Sequence, residues 1–284
     1  MHVYSVLDVY TDLMTLSKPD FAESRIFAIF AHKINKMPLF GFIGKKKESL
    51  VPLRNIGITC DTHSHLLPNL DDGSQSVKDS IELIVRMKNL GYKKIICTPH
   101  FMTGFYNNTH ESVQTSLNFM KSELLRQNID IELDAAAEYY IDYDFMQDLG
   151  KKPMLTFGNN MLLFECSFTN QHKNLNETIF EMQVNGYKPV LAHPERYIYW
   201  HGNIDFMKEL HDRGVLFQLN MLSIANAYAS NVNKASRALV DNNLCDFIST
   251  DLHNEEQLAI IENAQITESA FEKIKSLKLL NNNY

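Results

Sequence analysis

The 284-residue chain is 45% hydrophobic and carries a formal net charge of −7, an ordinary globular composition. Its length permits a sizeable core and accommodates an α/β barrel as one domain. The only basic block, Lys45-Lys46-Lys47, is too small for broad phosphate-backbone binding, so nucleic acid is excluded as a partner class.

No apolar run reaches the roughly 18 residues that a membrane span needs, so no stable membrane insertion is expected. The N-terminus carries Asp8, Asp12, Asp20 and Glu23 and lacks the basic start and apolar middle of a secretory signal, which points to the cytoplasm. Cys60, Cys97, Cys166 and Cys245 each lie in or beside an expected buried strand, and none forms a CxxC pair. They read as free core thiols of a reducing compartment rather than as disulfides or metal ligands.

Residues 1–52 stand apart as an unassigned N-terminal extension. Their apolar stretch Ile26–Ala31 is short, Gly41 and Gly44 interrupt any continuation, and Met37 offers an alternative start. From residue 53 to 284 the pattern is regular. Ile56–Cys60 is the first predicted strand, followed by a helix over Ser76–Leu90 with Ser76 as N-cap and Gly91 as stop. Lys94–Thr98 is the second strand, Thr109–Gln127 a helix, and Ile129–Ala137 the third strand. A short helix near Asp142–Leu149 precedes the fourth strand, Met161–Phe164. Helix Leu175–Val184 leads to strand Pro189–Ala192, and helix Ile204–Arg213 to strand Val215–Leu219. Helix Lys234–Asn242 leads to the seventh strand, Cys245–Ser249, and helices at Glu255–Glu262 and Glu268–Leu279 end the chain. This alternation predicts parallel βαβ units closed into a distorted (β/α)7 barrel, with an open doubly wound sheet as the alternative. No GxGxxG follows any strand, and no GxxxxGK[ST] loop is present.

Six of the seven predicted strands end on a metal-ligand type of residue. His63 and His65 follow the first strand, separated by one residue so that both rings project to one side of an extended backbone. Asp71 and Asp72 come next in the same loop, where a turn role competes with an oxygen ligand. His100 ends the second strand and Glu138 the third, where a buried carboxylate is costly unless paired or metal-bound. Glu165 ends the fourth, with a salt bridge to Arg196 as its alternative. His193 ends the fifth and is followed three residues later by Arg196, whose guanidinium could hold an anion. Asp251 and His253 end the seventh as a DxH pair. Barrel enzymes assemble their sites where strands end at one face, so these scattered residues are expected to converge. A mixed nitrogen and oxygen set without thiolate favours Mn²⁺, Fe or Zn²⁺, and the number of ligands implies two or three ions.

The segments DTHSHLLPNLDDGSQS, TPH, AAEYY, LAHPERY and STDLHN resemble, in order and spacing, the PHP (polymerase and histidinol phosphatase) superfamily. Within it they are most similar to the bacterial protein-tyrosine phosphatases of capsule and exopolysaccharide loci. The resemblance runs from about Ile56 to beyond His253. It implies a TIM-like barrel with a trinuclear centre, Mn²⁺ being the first expectation and Fe, Zn or Co the others. One ion would be held by His63, His65, Glu138 and Asp251, a second by Asp72, His100 and His253, and a third by His193 with Glu138 bridging and Glu165 completing the set. Arg196, Asp251 and His253 would be catalytic, Arg196 by gripping phosphate. Where some relatives carry a second arginine after the DxHN motif, this chain has Asn254-Glu255-Glu256-Gln257-Leu258. The resemblance therefore implies a phosphate-monoester hydrolase acting on a phosphotyrosine protein, a bacterial tyrosine kinase controlling capsule or exopolysaccharide synthesis. Histidinol-phosphate phosphatase is the enzymatic alternative, and a kinase-binding metal module without turnover is the non-enzymatic one. No motif addresses the oligomeric state.

Overall fold

The computed structural model describes residues 48–284, and there most of the apolar runs form short strands and the periodic stretches form helices. The first half contains β1 (Leu50–Pro52), β2 (Cys60–Asp61), α1 (Val77–Asn89), β3 (Lys94–Cys97), β4 (His100–Phe101), α2 (His110–Arg126), β5 (Glu132–Ala135), β6 (Glu138–Tyr140) and α3 (Tyr143–Asp148). The second half contains β7 (Met161–Glu165), α4 (Leu175–Val184), β8 (Lys188–Ala192), α5 (Ile204–Asp212), β9 (Leu216–Asn220), α6 (Met221–Ile224) and α7 (Ser230–Asp241). It ends with β10 (Phe247–Ser249), α8 (Glu255–Asn263), β11 (Gln265–Thr267) and α9 (Glu268–Lys275). The expectations for the apolar stretch Ile26–Ala31 and for Met37 lie outside the described residues.

β3 and β4 form one stave broken at Thr98-Pro99, and β5 and β6 form another broken at Ala136-Ala137. With these joined, the parallel order is β2, β3/β4, β5/β6, β7, β8, β9, β10. The circle closes between the last stave and the first. Ser64 bridges Leu252 in parallel register, the His65 amide donates to the Leu252 carbonyl at 2.9 Å, and the Asp251 amide donates to the His63 carbonyl at 2.8 Å. Below them the Thr250 hydroxyl donates to Asp61 Oδ2 at 2.6 Å. The result is the expected seven-stave α/β barrel rather than an open sheet.

Side-chain alternation divides the core in two. Cys60, Ile96, Ala136, Leu163, Val190, Ala192 and Phe247 fill the barrel interior. Their neighbours along the staves, such as Ile95, Leu133, Leu191, Phe217 and Ile248, pack outward against the helices. Helix ends follow sequence cues: the Ser76 hydroxyl accepts from the Asp79 amide at 3.1 Å, and Thr109 with Ser112 forms a reciprocal capping box.

The first strand differs from expectation. Leu53–Ile56 makes a 3-10 turn that buries Leu53 and Ile56 and ends at the left-handed Gly57, so the stave begins only at Cys60. The antiparallel pair β1–β11 and the short α6 were not expected, since three- and four-residue elements carry no periodic signal. Helix α7 begins at Ser230 rather than Lys234, and α9 ends at Lys275 rather than Leu279. Among the described residues, no helix is long and apolar enough to cross a membrane.

Candidate metal centre at the barrel mouth

The interior column of each stave ends on a polar group. Leu163 faces the barrel interior, so Glu165, two residues on, faces it too; Ala136 and Glu138 stand in the same relation. His193 breaks the rule. It directly follows interior Ala192 and would point outward if extended, but it adopts φ 34 and ψ 57, and its ring reaches Glu138. Among the described non-glycine residues with positive φ, five are Asn and the other two are His193 and Asp251. Backbone strain of about 1–3 kcal/mol per residue is characteristic of functional sites, and here it falls on two of the expected ligands.

Three histidines are tied at one ring nitrogen and offer the other to the centre. His63 Nδ1 lies 2.7 Å from Gln218 Oε1, and the Gln218 amide is oriented by its own donation to the Leu219 carbonyl. His65 Nδ1 lies 2.7 Å from Asp71 Oδ2, and His253 Nδ1 lies 2.8 Å from the Asp251 carbonyl. Each partner is an acceptor, so each Nδ1 carries the proton and each Nε2 presents a lone pair. Asp71 is itself fixed by the Gly73 amide at 3.0 Å and the His100 amide at 3.0 Å. Gly73 has no room for a side chain, because an added Cβ would fall 2.1 Å from the His65 carbonyl oxygen.

The free faces converge on Glu138. Its Oε2 lies 3.1 Å from His63 Nε2, 3.4 Å from His65 Nε2 and 3.1 Å from His100 Nδ1. Its Oε1 lies 3.0 Å from His193 Nε2. Asp251 Oδ1 lies 3.3 Å from His63 Nε2 and 3.4 Å from His65 Nε2. Asp72 Oδ1 lies 3.6 Å from His100 Nε2 and 3.7 Å from His253 Nε2. Glu165 lies 3.3 Å from His100 and 3.8 Å from His193. Three sets of donor atoms could each hold a cation: His63, His65, Glu138 and Asp251; His65, Asp72, His100 and His253; and His100, Glu138 and Glu165.

The donor set fits divalent metal. Glu138 Oε2 and His100 Nδ1 are both buried, lie 3.1 Å apart and yet have no hydrogen-bond partner. Donor atoms crowded at hydrogen-bond distance without hydrogen-bond alignment are arranged for a common cation. Burial is the largest single influence on Glu138 and Asp251 and opposes their ionisation, but the surrounding histidines, His63 foremost, together outweigh it, and both carboxyls sit well below the usual range. Burial likewise opposes charge on His65, but Asp71, Asp251 and Glu138 together raise that imidazole well above its ordinary value, so the carboxylates around it call for a positive charge at its Nε2, whether a proton or a metal ion. Burial and the adjacent His65 push His253 down to about 4, which keeps it a neutral donor.

Arg196 stands at the rim. Its Nη1 donates to Asp251 Oδ2 at 3.1 Å, so its ion pair is with Asp251 and not with Glu165. Its guanidinium carbon lies 4.3 Å from the Phe168 ring centroid and 5.4 Å from that of Tyr228. Asn220 Nδ2 donates to the same Asp251 oxygen at 2.8 Å.

All nine sequence-derived candidates and Arg196 thus gather at one end of the barrel. Sequence reasoning did not single out Gln218, Asn220, Phe168 or Tyr228. Gln218 and Asn220 end the sixth stave, whose lack of a charged ligand hid a polar role that its position alone could have suggested. The cysteines do not join the site. Burial pushes the Cys60 and Cys97 thiols up to about 12, and all four are free and buried.

A closed parallel barrel with nitrogen and oxygen donors converging at its strand ends is the arrangement of a metal-dependent barrel hydrolase. The chain belongs to the CpsB/CapC family of capsular polysaccharide synthesis, whose profile matches residues 59–283. It is 30% identical over 195 residues to the tyrosine-protein phosphatase YwqE of Bacillus subtilis (strain 168), covering 68% of this chain and 77% of that one. It is also 30% identical to the putative tyrosine-protein phosphatase CapC of Staphylococcus aureus, covering 68% and 76%. A solved relative superposes with a TM-score of 0.67 at 27% identity over 79% of this chain and 94% of its own. It comes from work describing YwqE from Bacillus subtilis and CpsB from Streptococcus pneumoniae as metal-dependent tyrosine phosphatases.

Proposed function

We propose that the protein is a metal-dependent protein-tyrosine phosphatase of the cytoplasm, acting on a bacterial tyrosine kinase that controls capsule or exopolysaccharide synthesis. The activity is assigned to residues 53–284, with β1 as a tie at their N-terminal side. The observation that carries this reading is Glu138 Oε2, buried within 3.4 Å of three imidazole nitrogens and hydrogen-bonded to none. His63, His65, Glu138 and Asp251 would hold one divalent ion; Asp72, His100 and His253, with His65 adjacent, a second; His193, Glu138 and Glu165, with His100 adjacent, a third. Mn²⁺ is the first choice for such hard and borderline donors, with Fe, Zn and Co accepted by the same set. Bound there, the ions would supply positive charge to the phosphate oxygens and acidify a water to a pKa of about 7.

The chain's own residues do the rest. Arg196, gripped by Asp251 and flanked by Phe168, presents its remaining N–H groups to an equatorial phosphate oxygen, where charge grows in the transition state. Asp251 orients Arg196 through Oδ2 while Oδ1 faces His63 and His65. His253, kept neutral, supplies a lone pair at the same rim. Tyrosine leaves as a phenolate of pKa about 10, so the site needs no strong general acid. The shallow position of Arg196, 28% exposed, suits a phosphate carried on a protein segment.

Parallel assays on a phosphotyrosine peptide and on histidinol phosphate, with chelator and with Mn²⁺ restored, test this reading. Metal-dependent hydrolysis of the peptide is expected. Hydrolysis confined to histidinol phosphate, or full activity in chelator, would overturn it.

A further inference from the structure

A groove of about 540 Å³ opens beside the metal centre, between the loop after β4 and helix α3. Its volume is within the range of specific ligand sites. Phe101, which lines it, directly follows His100, and the Tyr106 ring stacks on the His100 ring at 5.3 Å and 15°. The groove therefore begins where the His100 donor set ends. Phe101, Tyr139 and Phe145 form its floor, and the last two are almost wholly buried.

Its charge is acidic. Asp142, Asp144 and Asp148 line it against a single Lys152, a formal balance of −2. Lys152 is already paired with Asp148 at 2.9 Å. Asp142 is held in the structure, accepting from the Phe145 amide at 2.8 Å and the Thr103 amide at 3.0 Å. Asp144 lines the groove in the first turn of α3 and is exposed, and no hydrogen bond or ion pair engages it among the described residues.

A second phosphate would be repelled here. A long cationic side chain fits: its methylene stem covers the aromatic floor while its charge reaches the carboxylates at the rim. An extended chain advances about 3.3 Å per residue, and the groove is lined by Phe101, the residue after His100, and by Tyr106, which stacks on His100, so a residue near in sequence to a phosphotyrosine at the metals is the one that would meet it. We propose that this groove is a specificity subsite for a Lys or Arg side chain flanking the phosphotyrosine of the protein substrate. The inference rests on the phosphatase reading above and adds the chemistry of the substrate segment.

The test uses the metal-loaded enzyme and three phosphotyrosine peptides of equal length carrying Lys, Ala or Glu within three residues of the phosphotyrosine. Comparing kcat/KM between peptides on one preparation cancels differences in metal loading and folding. The Lys peptide should exceed the Glu peptide by about three- to tenfold at low salt, and the preference should shrink as salt is raised. Asp144→Lys should abolish or invert the ratio, and Lys152→Ala should widen it. Equal turnover of all three peptides, or a preference unchanged in both variants, removes the groove assignment while leaving the phosphatase reading intact. Failure to hydrolyse any of the peptides or p-nitrophenyl phosphate overturns the phosphatase reading itself, and the subsite with it.

Discussion

His65 Nδ1 and Asp71 Oδ2 lie 2.7 Å apart, with both side chains buried, and this contact sets which nitrogen of His65 faces the metal centre. Asp71 is the aspartate of the Asp71-Asp72 pair that turns inward to orient; Asp72, its neighbour, faces His100 and His253. Asp71→Asn keeps the volume but removes the anion that holds the proton on Nδ1. Metal affinity should fall about 10- to 100-fold, with activity recovering at saturating Mn²⁺, as for other residues that orient a metal-bound histidine. Chelator-competition titration reads the affinity directly, and an unchanged affinity would show that Asp71 serves only the loop.

How far the site was legible follows from the same pair. The strand-end residues His63, His65, His100, Glu138, His193, Asp251 and His253 stood out because their side chains are of ligand type and their spacing repeats with the βα unit. Asp71 and Asp72 are adjacent and chemically identical, so only the folded loop, pinned by the Gly73 amide and the His100 amide, separates their tasks. Gln218 carries no charge and so gave no signal, although its contact with His63 is as short as that of Asp71 with His65. The barrel was legible from the alternation of short apolar runs with helical stretches of period 3.6. Its closure was not, because the Ser64–Leu252 bridge joins residues at opposite ends of the domain.

At the other end of the staves, His211 Nε2 lies 3.1 Å from Asp246 Oδ2, and Asp246 also accepts from the Phe217 amide at 2.8 Å. The hydrogen bond to Asp246 raises the His211 pKa above its ordinary 6.5, outweighing the effect of burial. Because the folded value is the higher, the stabilisation is full below about pH 6.5 and is lost as pH rises through the folded value. His211→Gln should therefore destabilise the metal-saturated protein more at pH 6 than at pH 8.5. The pair is partly exposed, so the difference should stay below about 1 kcal/mol. Urea unfolding at the two pH values measures it, and a pH-independent difference would mean that the charge on His211 contributes nothing.

Asn281 stitches the closing seam from below. Its Nδ2 donates to the Cys60 carbonyl at 3.1 Å and the Ile248 carbonyl at 2.9 Å, and its Oδ1 accepts from the Ile248 amide at 3.0 Å. It thus links β2 to β10, the same two staves that Asp61 and Thr250 join higher up. Asn281→Ala leaves buried backbone groups unpaired and should cost about 3 kcal/mol, or roughly 6–12 °C in Tm for a domain of this size. Asn281→Asp should be at least as damaging, since a carboxylate cannot donate to the two carbonyls. A loss in Tm under about 2 °C for both variants would show that the barrel closes without this tail.

Arg196 is held on two sides by different means: an ion pair to Asp251 and the face of Phe168. The ring contact limits where the guanidinium plane can lie, and a partly desolvated cation–π contact is worth about 0.5–2 kcal/mol. Phe168→Leu keeps an apolar neighbour but removes the ring, so kcat/KM on a phosphotyrosine peptide should fall about 3- to 20-fold with metal affinity unchanged. Arg196→Lys removes the planar fork altogether and should cost about 100- to 1,000-fold, mainly in kcat, because its N–H groups act where phosphate charge develops. If Phe168 only fills space, the two variants will lose activity independently and their effects will multiply. If it orients Arg196, the double variant Phe168→Leu with Arg196→Lys will be no slower than Arg196→Lys alone, because the group being oriented is already gone.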